Sequence, residues 1–334
     1  MDLATTYMGL RLRNPLVASA SPLTASIGNL IALEACGAGA VVLPSIFQEQ
    51  IESERDELET RTAIGRESSP EALGYFPNPE SYAVGTRRYI ELIRAARTAL
   101  QIPVIASLNG TTNEGWIEFA REIEAAGAHA LELNVYFIPA DPALGGPEVE
   151  QRYLDVVRAV KGAVRIPLAV KLSPFFSAPG AFARKLQDAG ADALVLFNRF
   201  YQPDIDLTNL SLRHDLELST RHEIRLPLLW IGLLAGRLNV SLAATTGVET
   251  SDEAVKYVLA GADVVMTTSS LLRRGIEHME ALVGGLEAWL AARSYTSLSQ
   301  VRGLLSQQRI ADPTAFERAN YIQVLQSYNG AQRH

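Results

Sequence analysis

One short phrase, repeated along the chain, constrains the fold more than any other feature. Gly-Ala-x-Ala or a near variant precedes a β-branched run and then polar residues at Gly37 (GAGAVVLPS), Gly127 (GAHALELNVY), Gly190 (GADALVLFNR) and Gly261 (GADVVMTTSS). Each copy follows a stretch with helical spacing of apolar residues, such as 116–126 or 182–189. A glycine just past a helix end takes the left-handed conformation that residues with a Cβ resist. The apolar run behind it reads as a strand buried on both faces. The unit is therefore helix, glycine turn, buried strand, polar exit. Repeated, it demands a parallel sheet with helical crossovers, whose active face lies where the polar exits gather.

Similar short runs lie between the copies, at 15–20 (PLVASA), 103–107 (PVIAS), 167–172 (PLAVKL) and 241–245 (SLAAT), and bring the strand count to eight. Three of these open on proline, which suits a first strand position. Helical spacing recurs at 26–35, 81–99, 148–163, 227–237 and 251–259, and Thr250 with Glu253 has the spacing of a capping box. A (β/α)8 barrel needs roughly 250 residues, and the chain has 334. The expected architecture is α/β, a (β/α)8 TIM barrel with an N-terminal hairpin, loop insertions and a C-terminal helical tail. Residues 1–293 form the barrel in this reading, and 294–334 a tail packed on the barrel or on a partner. The insertions are 46–80, after the second strand, and 200–226, after the sixth, which carries His214 and His222. In the tail, Asp312 and Pro313 should cap a helix running to about Tyr328.

A formal net charge of −7 and the lack of a basic stripe argue against a nucleic-acid surface. The longest apolar stretch, 226–236, contains Pro227 and is too short to span a bilayer. Residues 1–13 are mixed and polar, without a secretory pattern, so the expected location is the cytoplasm. Cys36 is the one cysteine, which leaves no internal disulfide and no Cys-ligated cluster within one chain. No metal site is expected.

The strand exits carry Ser21 and Thr24, Ser45, Asn109, Asn134 and Tyr136, Lys171 and Ser173, Asn198 and Arg199, 245–247 and 267–270. Ser21, Thr24 and Ser173 fit helix capping as well as they fit function. Lys171 does not, because an ammonium at the end of a buried strand is costly unless an anion meets it. TTGV (245–248) and TTSS (267–270) run from strand into helix with small residues, the usual phosphate position of barrels. That signal fits a phosphorylated substrate and the phosphate of FMN alike.

Seven segments, GLRLRNPLVASASPLT (9–24), GAGAVVLPS, IPVIASLNG (102–110), ALELNVY (130–136), IPLAVKLSP (166–174), LFN (196–198) and ATTGVETSDEAVKYVLAGADVVMTTSSLL (244–272), occur in an order that resembles the class 1 dihydroorotate dehydrogenases. The chain is more similar still to the bacterial dihydroorotate dehydrogenase-like proteins. The resemblance implies an FMN-dependent oxidoreductase acting on a C–C bond next to a carbonyl, a small-molecule substrate, pyrimidine metabolism as the setting, and a homodimer. It implies Lys171 at the flavin pyrimidine edge, Asn134 and Asn198 on the substrate, and, on a looser match, Asn78 as a third substrate asparagine. Ala20, Ser45 and Asn109 become flavin neighbours, and Thr246, Gly247, Thr267, Thr268 and Ser269 fall where the phosphate is held.

Two positions depart from the family pattern. The family's fourth strand ends Asn-x-Ser-Cys-Pro-Asn, with the cysteine (serine in other classes) as base; here the same place reads Asn134-Val-Tyr-Phe-Ile-Pro139. Tyr136 is the nearest titratable group, as a pocket-shaping residue or as the base. Pro44 stands where the family has a flavin-contacting lysine. Dihydroorotate as substrate is thereby put in doubt, flavin binding is not. Two other readings stay open: a Lys171 Schiff-base lyase or aldolase acting on a phosphorylated carbonyl compound, and a non-catalytic flavin-binding partner protein. With no cysteine-bound relay in the chain, a reduced flavin needs an external electron acceptor or donor.

Overall fold

The structure is a computed structural model that describes residues 1–48, 51, 85–110, 116–199, 202–213 and 215–317. Eight parallel strands close a barrel: β3 (Leu16–Ala18), β4 (Ala40–Phe47), β5 (Val104–Asn109), β6 (Ala130–Asn134), β7 (Leu168–Leu172), β8 (Ala193–Leu196), β11 (Ser241–Ala244) and β12 (Val264–Thr267), with β12 beside β3. All four glycines of the repeated phrase have φ between +97° and +121°, so the turn that joins each helix to its strand is one only glycine enters without strain.

The crossover helices are α1 (Ile27–Ala35), α2 (Thr86–Ala99), α3 (Trp116–Ala125), α4 (Gly146–Ala163), α5 (Pro179–Asp188), α6 (Arg225–Leu234) and α7 (Ser251–Ala260). In α7 the capping box is formed as the spacing predicts, Glu253 accepting from the Thr250 N–H at 2.9 Å. Two further helices, α8 (Ser269–Arg274) and α9 (His278–Ala291), complete the eighth unit. The sequence reading missed α9: Gly284 and Gly285 interrupt it and no capping pair announces it. Its buried face, Met279, Leu282, Leu286 and Leu290, nonetheless has helical spacing.

The barrel interior combines small side chains, Ala40, Ala130, Ala169, Ala193 and Ala243, with Val17, Val42, Ile105, Val195, Val264 and Met266. Alanine leaves the lumen short of volume. The N-terminal hairpin, β1 (Thr5–Tyr7) with β2 (Leu10–Leu12), supplies it by inserting Tyr7, Met8 and Leu12 into the same cluster. Its two-residue turn has Met8 at φ +52° and Gly9 at +77°, the primed geometry whose twist matches antiparallel strands. Met8 N–H donates to Ser241 Oγ and Thr5 Oγ1 to the Asp263 carbonyl, which fastens the hairpin to the N-terminal ends of β11 and β12.

Tyr7 is wholly buried and its hydroxyl has no hydrogen-bond partner among the described residues. Burial, then the charges of Glu132 and Asp263, push its phenol well above the ordinary range. An unpartnered buried hydroxyl is costly, so Tyr7→Phe is expected to raise stability by about 1 kcal/mol. Urea unfolding checks this, and a loss of stability would mean that the hydroxyl is bonded after all.

The larger core lies between barrel and helices, with Leu131, Leu133, Leu168, Val170 and Leu172 on the outward faces of β6 and β7. Segments beyond the barrel differ in part from expectation. Within 200–226 a second hairpin, β9 (Asp204–Asp206) with β10 (Ser211–Arg213), stands exposed, followed by a 3-10 turn, Arg221–Ile224. At 312–317 the Asp312 side chain accepts from Thr314 N–H as predicted. The element it caps, however, is a four-residue 3-10 turn, Pro313–Phe316, and Glu317 is already extended. Proline at its first position permits either helix type, so sequence could not choose between them. The Phe316 ring lies against Gly232 on α6, close enough to exclude a Cβ there. The rest of the expected tail helix lies outside the described residues, as do most of the 46–80 insertion and His214. His278 is half-buried and bonded to the Glu249 carbonyl at 2.8 Å.

Candidate active site

Alternation along the strands decides which side chains enter the lumen. Ala130 and Ala169 face inward, so Glu132 and Asn134 on β6 and Lys171 on β7 do too. The register pairs Glu132 with Ala169 and Asn134 with Lys171. Asn134 and Lys171 therefore sit at one level of the C-terminal mouth, with Glu132 one layer below. Lys171 Nζ lies 3.6 Å from Glu132 Oε1. Asn198, just beyond β8, donates from Nδ2 to Asn134 Oδ1 at 2.8 Å and arches over the end of β7. Asn109 stands opposite Asn134 at the end of β5.

On the neighbouring side, the register of β4 against β5 shifts between Val42 and Ser45. Pro44 lies within that shift; it lacks the N–H that a regular ladder needs. Beyond it Ser45 Oγ meets Ser107 Oγ at 2.7 Å.

The rim over β11 and β12 is built from three segments. After β11, Thr246 and Gly247 have φ of +82° and +75°, the first being unusual for a β-branched residue. Tyr257 on α7 holds this turn by donating to the Thr246 carbonyl at 2.8 Å, and Thr246 Oγ1 donates to the Phe197 carbonyl at 3.1 Å. Burial, followed by the charges of Glu253 and Glu223, raises the Tyr257 phenol far above its ordinary value and keeps it a donor. Gly247 N–H donates to Ser219 Oγ at 3.2 Å, and Ser219 donates from N and Oγ to Ser269 Oγ. Arg273 secures the approach of this loop, donating to the Leu218 and Ser219 carbonyls at 2.7 Å each. Thr267 Oγ1 is occupied by the Val248 carbonyl and Ser270 Oγ, and Thr268 Oγ1 by the Ser19 carbonyl.

Between rim and lumen lies an open cavity of about 140 Å³. Of the residues expected from sequence, Ala20, Lys171, Asn198, Thr246, Gly247, Thr267, Thr268 and Ser269 line it. Asn134 joins through its bond to Asn198. Ser45, Asn109 and Tyr136 do not line it, and Tyr136 is half-buried beyond the end of β6. Asn78 lies outside the described residues. Ser219 escaped the sequence reading because it comes from an insertion without periodicity and reaches the rim only through tertiary contacts. Glu132 was hidden inside a buried strand; a lone charge in an apolar run was the available signal. Arg199 also lines the cavity, its Nε 3.0 Å from Glu223 and a further nitrogen bonded to the Glu217 carbonyl. Among the described residues the cavity wall carries two cations and no carboxylate, each cation being paired with a carboxylate that does not line it.

Among the described residues no group of three or more His, Cys, Asp or Glu side chains is placed to hold a metal ion. No helix of theirs is long and apolar enough to cross a membrane.

Fold and site define a (β/α)8 barrel whose cavity has, among the described residues, one lumenal lysine beneath a rim of small polar residues. The model of the dihydroorotate dehydrogenase family matches residues 2–290. The chain belongs to that family, whose members are oxidoreductases acting on CH–CH bonds. It is 26% identical to a dihydroorotate dehydrogenase B (NAD(+)) catalytic subunit of Methanothermobacter thermautotrophicus, over 90% of this chain and 98% of that one. It is 29% identical to a putative dihydroorotate dehydrogenase A (fumarate) of Aeropyrum pernix, over 68% and 80%. With the NAD-dependent dihydropyrimidine dehydrogenase subunit PreA of Escherichia coli it shares 26% identity over 91% and 76%.

Proposed function

We propose that the protein binds FMN across the barrel mouth and oxidises or reduces a C–C bond next to a carbonyl in a small anionic ring or acid. The observation that carries this reading is the lumenal Lys171 beside the bonded pair Asn134 and Asn198, under a rim in which Gly247, Ser219 and Ser269 are hydrogen-bonded in series. Bound FMN would supply hydride transfer. Lys171 would stabilise negative charge at the pyrimidine edge, and the rim would take the phosphate. The close approach at Gly247 supports this, because a Cβ there would meet the Thr220 carbonyl at 2.7 Å. The two asparagine side chains would orient the substrate's carboxylate or ring amides, and Arg199 would add positive charge at the entrance.

Tyr136 and Phe137 stand where the family pattern has serine and cysteine, which supports a substrate other than dihydroorotate and a role for Tyr136 in shaping the approach to the pocket. The Lys171 Schiff-base reading is disfavoured by the buried Glu132 carboxylate at 3.6 Å: it stabilises the cation, whereas Schiff-base chemistry needs the free amine. The electron partner is external, in keeping with relatives named as subunits.

The deciding experiment is the absorbance spectrum of the purified protein and identification of the chromophore released on denaturation. Flavin bands with FMN in the supernatant are expected. A colourless protein that takes up no added FMN would sink the proposal.

The homodimer belongs to the same proposal. Ile205, Leu207, Leu210 and Leu212 on the β9–β10 hairpin are exposed, more apolar surface than an isolated two-stranded element usually offers to water. Leu207→Asp combined with Leu212→Asp is expected to convert a dimer into monomers by light scattering. An unaltered dimer would place the interface elsewhere.

A further inference from the structure

Glu132 is 1% exposed in its side chain, and neither of its oxygens accepts a hydrogen bond among the described residues. A buried carboxylate in that condition is costly unless a charge compensates it. Three side chains from three elements feel it. Tyr7, from the N-terminal hairpin, and Tyr89, from α2, both have their phenols raised, by burial first and with Glu132 contributing. Lys171, from β7, is its one ion-pair partner among the described residues. Asp263 also acts on Tyr7, but it is engaged by Arg302 and the Leu242 N–H outside the lumen. The barrel interior therefore holds one carboxylate below one ammonium, set diagonally on adjacent strands by register, with alanines where bulkier residues would have separated them.

We infer that Glu132 is a positioning residue that holds Lys171 as an ammonium at the floor of the ligand cavity. This assignment rests on the flavin reading for its purpose and not for its chemistry. An opposite charge within about 4–6 Å favours the charged form of a lysine, and the lumenal cluster of the barrel is otherwise apolar among the described residues. With Glu132 in place, the Lys171 ammonium is held where a ligand's negative charge would meet it. Without it, Lys171, 11% exposed in its side chain, loses its one ion-pair partner among the described residues.

The test uses the protein without FMN, so that failure of this inference and failure of FMN binding are separable. In the apoprotein, Lys171 acetylation by acetic anhydride at fixed pH is followed by peptide mass spectrometry, with Lys256 in the same digest as internal standard. Only the free amine reacts. Glu132→Gln is expected to speed Lys171 acetylation about tenfold, the effect of one unit of proton affinity, and to leave Lys256 unchanged. Glu132→Asp, which keeps the charge, should stay within about threefold of wild type, and it decides the matter should the Gln variant fail to fold. An unchanged Lys171 rate in folded Glu132→Gln, or a tenfold rise in Glu132→Asp, would overturn the inference.

Discussion

Replacing Lys171 with methionine is expected to cost about 3–5 kcal/mol of stability, the usual penalty for stranding one member of a buried ion pair. Methionine matches the length of the lysine stem and fills the same space, so little of this loss should come from packing. What remains is Glu132, buried and without a hydrogen bond or a compensating charge among the described residues. Urea unfolding at neutral pH measures the loss. Adding Glu132→Gln to Lys171→Met should recover most of it, because neighbouring substitutions of this kind are strongly non-additive. If Lys171→Met unfolds no more readily than wild type, the pair at 3.6 Å contributes nothing and the lumenal charge balance is misread. On the functional side, the same variant should still take up FMN but accept electrons from its substrate roughly 10²–10³-fold more slowly, the scale for removing one group that stabilises developing charge.

Gly247→Ala is expected to have the second largest effect, and through the backbone. The residue has φ +75°, and an added Cβ would approach the Thr220 carbonyl and Ile224 Cγ2 at 2.7 Å each. The Ile224 methyl can move; the Thr220 carbonyl belongs to the segment that caps the 3-10 turn Arg221–Ile224. That segment begins at Ser219, whose Oγ accepts from Gly247 N–H. Left-handed strain of roughly 1–2 kcal/mol thus adds to displacement of the loop that closes the rim. FMN affinity, measured by quenching of flavin fluorescence, should fall about 100-fold, the equivalent of roughly 3 kcal/mol. Serine or threonine at the same place should do no better, since polarity is not what the position lacks. Affinity within threefold of wild type in Gly247→Ala would remove the phosphate from this rim.

Much of the barrel was legible because its signals are local. The glycines at 37, 127, 190 and 261 each mark a helix end whatever surrounds them, and all four have the positive φ that the sequence requires. The eight buried strands follow from apolar runs that neither alternate nor extend to helical length. The α9 helix was missed because its evidence is a sparse apolar spacing, Met279, Leu282, Leu286 and Leu290, around two glycines. The 3-10 turn at Pro313–Phe316 was misread because an Asp-Pro cap fixes where a helix starts but not its pitch or length.

The site divides along the same line. Lys171, Asn134 and Asn198 were visible as polar residues closing buried strands, and Thr246, Gly247 and Ser269 as small residues between strand and helix. Which of them share a cavity was not visible: Tyr136 ends the same strand as Asn134 yet does not line the cavity. Ser219 and Arg273 reach the rim from insertion and helix through hydrogen bonds spanning about fifty residues of chain.

The sequence alone therefore determined the parallel barrel, the end at which its polar strand exits gather and the place of Lys171 among them, since each depends on residues within one helix–strand unit. Tertiary structure alone decided that Glu132 sits under Lys171, that Tyr7 fills the alanine-lined lumen, and that Ser219 closes the rim. Those contacts depend on strand register and barrel closure, which bring residues from distant units together and which no local pattern encodes.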